Sequence, residues 1–193
     1  MTIRGAARSQ SGAVIAVVKA VRVPVSSARI RSAIEAAATV PEVAARLPAP
    51  DWDLALRVSG DRELRRLNRR FLGDDHATDV LPFPSGDSAA GAHLGDIVIS
   101  WPAVERQALE FDHPADAELA LLAVHGLLHI LGWDHASAAE DAEMNRMTLS
   151  ALNRAGTELA CSRLLKPTAL REALSPRRPD GVGAAAGCTR ARN

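Results

Sequence analysis

The chain has 193 residues, 47% apolar and 24% charged, with 23 basic side chains against 23 acidic ones and a formal net charge of zero. That length suits one ordinary domain with tails, and the balanced charge does not by itself announce a nucleic-acid partner, although it leaves room for a local basic patch. No apolar run approaches the roughly eighteen residues of a membrane span, and Cys161 and Cys188 have neither metal nor disulfide spacing, so a reducing cytoplasm is the expected compartment.

Residues 1–13 are small, polar and basic and read as a flexible leader. Val14 to Val23 is largely β-branched and apolar and predicts a first strand, ended by Pro24. Ser26 or Ser27 can cap a helix whose Ile30, Ile34 and Ala37 recur at helical spacing to about Ala38. Pro41 and the Pro-Ala-Pro at 48–50 flank a short helical stretch, and Leu54 to Val58 alternates as a second strand closed by Gly60.

Asp61 suits the N-cap of the next helix, with Leu64, Leu67 and Phe71 on its packed side. Arg62, Arg65, Arg66, Arg69 and Arg70 recur on the other side, and Glu63 is the only acid on the helix beyond its cap. A charged stripe is usually a solvated face. Arginines with so little local neutralisation also suit bidentate contact with a phosphate backbone, which makes these five the candidate nucleic-acid contacts. Aromatics are few, so a base-stacking platform is not expected.

Gly73 and Asp74-Asp75 end that helix; Thr78 to Leu81 predicts a third strand stopped by Pro82 and Pro84, and residues 85–92 a flexible loop. Leu94 to Ser100 is the fourth strand, expected by fold analogy to border a metal cleft. Asp79 and Asp96 are candidate cleft residues, against plainer roles in a turn and at a strand start. His76 and His93 read as surface histidines in loops. Trp101-Pro102 opens a further helix to Glu110. Pro114 then suits N1 of a central helix, with Asp116 and Glu118 complementing its dipole.

The stretch His125-Gly126-Leu127-Leu128-His129-Ile130-Leu131-Gly132-Trp133-Asp134-His135 organises the rest. His125 and His129 fall on one helix face, one turn apart. Gly132 is a natural left-handed helix stop, after which the chain can bring His135 to the same point. From Leu119 to Leu131 the only non-apolar side chains are these two histidines, so the helix should be buried all round and its imidazoles should need partners. Three neutral imidazoles with one open position make a catalytic-type zinc site, so His125, His129 and His135 are the expected ligands of one Zn²⁺. Asp134 is a candidate partner behind a ligand. The spacing is that of the metzincin metalloproteases, except that Gly126 stands where those enzymes carry a glutamate general base. Ser137 to Glu140 is a capping box opening a last helix to about Ala155, with Met144 and Met147 assigned to core packing. Thr168 to Leu174 allows a helical turn or two, and residues 175–193 read as disordered.

The histidine stretch, together with Leu67–Pro84 and Leu94–Ser100, resembles the YbeY family of endoribonucleases over about residues 14–155. The resemblance implies metal-dependent, single-strand-specific RNA cleavage in rRNA maturation at the small-subunit 3′ end and in ribosome quality control. It also implies partners: the small ribosomal subunit, a small-subunit ribosomal protein and an Era-type GTPase. Members often carry an arginine, regarded as part of the active cleft, where this chain has Leu72; Arg69 is the nearest stand-in by helix phase. Two other readings remain: a ribosome-assembly factor with structural zinc, and a zinc peptidase or amidase, which the missing glutamate opposes. The expected fold is α+β: a small mixed four-stranded sheet packed with helices, the metal helix central, as one domain over 14–156 with a tail over 157–193.

Overall fold

The computed structural model describes residues 13–48, 51–86, 93–159 and residue 163. The expected leader up to residue 12, the loop from residue 87, and the expected tail segments at 168–174 and 175–193 lie outside the described residues. The elements are β1 (Val14–Lys19), α1 (Ser27–Ala38), α2 (Pro41–Ala44), β2 (Asp53–Ser59), α3 (Asp61–Phe71), β3 (Val80–Pro84), β4 (His93–Ser100), α4 (Trp101–Glu110), α5 (Ala115–Ile130) and α6 (Ala138–Arg154). The sheet order is β1-β2-β4-β3. β1 pairs parallel with β2 and β2 with β4, whereas β3 lies antiparallel on β4. The result is the expected α+β arrangement with a mixed four-stranded sheet.

Strand alternation divides the helices between two faces. Ile15, Leu54, Leu56, Val58, Ile97 and Ile99 join the main core, which also takes in buried residues of α1, α5 and α6. The opposite face is covered only in part. There Leu64 of α3 packs with Leu81 and Val98 in a separate small cluster. The metal helix and the arginine helix therefore sit on opposite sides of one sheet, a placement that no local pattern encodes.

Several boundaries depart from expectation for physical reasons. β1 stops at Lys19, opposite Val58; Ala20 makes the last bond, to the Val58 carbonyl at 2.8 Å. The chain then curls, and Lys19 donates to the Val25 carbonyl. Pro82 and Pro84 do not stop β3 but lie inside it. β3 is the sheet edge, and its ladder bonds fall at odd positions, as Ser100 N–H to Asp79 and Ser85 N–H to Leu94 show. Both prolines occupy the alternate positions, whose missing N–H would face outward. Asp61 is the first residue of α3, not its cap; Gly60 caps without a side chain. The Asp61 carboxylate instead accepts from Ser100 and, at 2.9 Å, from Arg106. Phe71 is 56% exposed rather than packed under α3, and its ring meets Phe83 edge-on at 5.2 Å.

α5 is buried along nearly its whole length, from Ala117 to Leu128. Pro114 is its N-cap, one position before the expected N1. Gly126 admits a side chain from the sheet. A Cβ added there would stand 2.9 Å from Cγ2 of Ile97 on β4. Ile97 is β-branched and cannot swing aside cheaply. Gly126→Ala should therefore lose about 1 kcal/mol net, because overpacking outweighs the gain of about 1 kcal/mol in helix propensity. Denaturant midpoints should show it. Combined with Ile97→Ala, which removes the clashing atom, the substitution should cost less than the sum of the two single changes.

Candidate metal centre

The histidine stretch is placed by how α5 ends. Gly132 N–H bonds the His129 carbonyl and Trp133 N–H bonds the Leu128 carbonyl, both at 3.0 Å. With Gly132 at φ 84°, this is a Schellman stop, and it turns His135 back toward the helix. Arg46 holds the stop from outside: its guanidinium donates to the Leu131 carbonyl at 3.0 Å and lies 3.6 Å over the Trp133 ring. Ser137 and Glu140 then form the expected capping box of α6.

This geometry brings together all three predicted ligands. A ring nitrogen from each of His125, His129 and His135 lies within 4.8 Å of the others. The Nε2 atoms of His125 and His129 are 3.1 Å apart; tetrahedral ligation at zinc–nitrogen lengths separates donors by about 3.3 Å. Nε2 of His135 is buried and has no hydrogen-bond partner among the described residues. A buried nitrogen left bare is costly, and an ion between the three rings would satisfy it. The set can hold one metal ion. Ring nitrogens suit zinc and other borderline metals alike.

Burial holds His125 and His129 in their ligating form. Burial pushes the His125 imidazole well below its usual 6.5, with the neighbouring His129 and His135 adding to the effect. Burial and then His135 bring His129 down to about 4. Neutral imidazole is the species that binds metal. A cleft of about 310 Å³ lined by His129, Gly132, Trp133 and Asp134 opens beside the centre, so the centre faces solvent on that side. Asp134 spends one oxygen on the backbone N–H of His135, at 2.8 Å. Its carboxylate stands 4.0 Å from His135 Nδ1, beyond a hydrogen bond, and is 57% exposed.

The other candidates lie elsewhere. Asp79 is buried, accepts from Val80 N–H at 2.8 Å and from Gln107 at 2.9 Å, and so ties a turn to α4. Asp96 is exposed on the sheet face opposite α5, 3.6 Å from His93. His93 belongs to β4, not a loop, and binds Asp53 through Nδ1. Burial lowers its pKa, but Asp53 and Asp96 outweigh that and leave it raised. The arginine stripe is also on the far face, and it is less free than α3 alone suggests. Asp75, from the loop beyond the helix, takes Arg65 through two 2.9 Å bonds and stands 3.9 Å from Arg69.

Two positions carry weight that local sequence hid. Glu118, expected only to complement the dipole, is fully buried and bound by Arg163 at 2.6 Å and by His113 at 2.7 Å. Arg163 falls in the expected tail yet is 2% exposed. Its charge adds to the depression of His125. The one signal was an acid just before an all-apolar helix, which called for a distant cation. Nothing local pointed to Arg46.

Metal content of the purified protein should be about one ion per chain and should fall to a trace in His129→Ala, with circular dichroism confirming the fold. The metal-free protein should lose stability on acidification. The folded pKa of His129 is about 4 against 6.5 unfolded, so between these values the unfolded chain binds more protons. The contribution is whole above about pH 6.5 and declines toward pH 4, by on the order of 2–3 kcal/mol for this residue alone. Urea midpoints at stepped pH read it directly; a flat profile in that window would mean the rings are not buried neutral.

The family model described as Endoribonuclease YbeY matches residues 18–156. Among curated relatives, the Endoribonuclease YbeY of Gloeobacter violaceus is 54% identical over 90 residues, covering 43% of this chain and 46% of that relative. The one from Roseiflexus is 40% identical over 129 residues, covering 62% of this chain and 78% of that protein. The one from Aquifex aeolicus is 40% identical over 108 residues, covering 53% and 72%. The chain thus spans about half the length of the first of these and about three quarters of the other two. A Thermotoga maritima protein solved in solution is also similar, with a TM-score of 0.49 and 24% identity over 72% of this chain and 89% of that one. With the family model running from β1 through the histidine stretch to the end of α6, the chain belongs to the YbeY family.

Proposed function

We propose that this chain is a zinc-dependent, single-strand-specific endoribonuclease acting in the cytoplasm on ribosomal RNA, at the 3′ end of small-subunit rRNA and in ribosome quality control. The observation that carries this reading is the convergence of three imidazoles beside an open cleft, in a chain whose relatives are named endoribonucleases. Partners on this reading are the small ribosomal subunit, one of its proteins and an Era-type GTPase.

A bound metal would lower the pKa of a water or polarise a phosphoryl oxygen. The chain does the rest. His125, His129 and His135 would hold the ion without a rearrangement of α5, their ring nitrogens already gathered at one point. Arg46 and the Schellman turn fix the cleft floor. Asp134, exposed on the cleft wall, is the carboxylate lining the cleft and would accept the proton that a metal-bound water gives up. The peptidase reading loses ground on geometry as well as sequence. The position where a metzincin carries its glutamate is Gly126, and there Ile97 fills the space that side chain would need.

One observation favours a second reading, a non-catalytic assembly factor with structural zinc. Leu72 caps α3 and is 47% exposed, at the position where the family resemblance implies a cleft arginine. Cleavage of a short single-stranded RNA and of rRNA precursor decides between them. The wild type loaded with zinc should cleave both, and folded His129→Ala should lose at least about a hundredfold in rate, as loss of a metal ligand demands. Leu72→Arg should raise the rate. Activity found only in Leu72→Arg, or in neither protein, would move the assignment to the assembly factor.

A further inference from the structure

The far face of the sheet carries a feature that the metal centre does not use. An open groove of about 890 Å³ runs between α3 and β2, and its lining includes Arg57, Arg62, Arg65, Arg66, Arg69 and Asp75. Four of these guanidinium groups come from α3 at helical spacing, so they form one stripe about 10 Å long. The fifth, Arg57, comes from β2, where alternation points it away from Leu56 and Val58 and toward α3. It grips Glu63 through three 3.2 Å bonds.

The carboxylates present do not neutralise the groove. Glu63 serves Arg57 and, at 3.6 Å, Arg66; Asp75 serves Arg65 and, at 3.9 Å, Arg69. Two acids thus face five arginines lining the groove, and Arg62 has no carboxylate partner among the described residues. The Arg66 and Arg69 side chains are 68% and 65% exposed. Groups so placed are poorly explained as packing.

We propose that this groove binds the sugar–phosphate backbone of single-stranded RNA at a distance from the metal centre, holding a flanking segment while the cleaved segment lies in the cleft beside His129. The inference rests on the nuclease reading for the identity of the polymer, and on the placement of the groove for its role. The faces of α3 and α5 that touch the sheet lie on opposite sides of it, so their axes are on the order of 20 Å apart. The groove therefore does not hold the phosphate under attack. Both helices pack against β3 and β4, so the β3 edge is the rim round which a strand can pass from one face to the other. An RNA backbone is favoured over an acidic protein segment because guanidinium forks match phosphate oxygens in pairs. Asp75 acts as a placeholder: it orients Arg65 and Arg69 in the empty groove and is displaced when phosphate arrives.

The test is binding of a labelled 2′-O-methyl oligouridylate of about 20 nucleotides, followed by anisotropy across a salt series, with probe integrity checked on a gel. Proteins compared are the wild type, Arg62→Gln/Arg66→Gln/Arg69→Gln, and Asp75→Asn. The triple variant should bind about tenfold or more weakly at low salt, and the slope of log affinity against log salt should become shallower by about 2–3. Asp75→Asn should bind severalfold more tightly, because it removes both a negative charge and a competitor. This opposite sign separates groove binding from damage to the fold, and thermal midpoints of all three proteins are recorded beside it. Unchanged affinity and slope in both variants would overturn the proposal. So would loss of binding to polyglutamate with RNA binding intact, which would assign the groove to an acidic protein. Cleavage is not read in this experiment, so a protein that binds as expected but never cuts RNA would sink the nuclease reading and leave the groove standing.

Discussion

The seating of α5 against β4 is the constraint on which the rest depends. A helix buried from Ala117 to Leu128 has no exposed face on which to carry polar side chains. His125 is therefore in the core by necessity, and its neutrality follows from burial before any neighbour is considered. Gly126 sets the distance to the sheet by leaving room for Ile97. The same contact removes the position from which a metzincin would deliver its general base. Packing and chemistry are thus decided by one missing side chain: the ligand frame is kept, and the acid–base group at the second position is given up for a tighter core.

Around that contact the electrostatics separate into two regions. Beside the histidines few charged groups stand free. Glu118 is saturated by Arg163 and His113, and Asp134 is the exposed carboxylate lining the cleft. The far side concentrates arginines on α3 and β2 around only two carboxylates. A net charge of zero over the whole chain conceals this division, because acids elsewhere on the surface balance a basic face. Salt should accordingly weaken any interaction made by the far face much more than the coordination of an ion in the buried centre.

Features fixed within one or two helical turns could be read from sequence. The ligand spacing, the glycine stop after Leu131, the Ser137–Glu140 box and the serine cap before α1 all depend on neighbours in the chain, and the structure contains each of them. What the sequence hid is set by tertiary partners. Pro82 and Pro84 look like strand breakers until β3 is known to be an edge with its odd positions bonded. The α3 arginines look unneutralised until the turn at Gly73 returns Asp75 beside them. Arg46 meets the end of α5 across 85 residues, and Arg163 meets Glu118 across 45. Neither position stands out locally, yet each fixes something next to the centre. Which side of the sheet each helix takes is likewise a property of the assembled core, and it alone separates the arginine stripe from the histidines.

That separation bears on Leu72. An arginine there would be the side chain with which α3 reaches toward a cleft, but Leu72 presents an exposed apolar surface at the helix C-cap. The nearest alternatives are committed. Arg69 turns to the Asp75 side, Arg70 lies 5.3 Å over the Phe71 ring, and Arg163 is sealed against Glu118 with no spare exposure. If RNA is cut at the histidine centre, the charge of the attacked phosphate must then be met chiefly by the ion itself. The binding energy of the polymer must come from elsewhere on the surface, and the α3–β2 groove has both the charge and the openness to supply it. The chemistry of the centre would be intact, and the holding of substrate would have moved to the other face of the sheet.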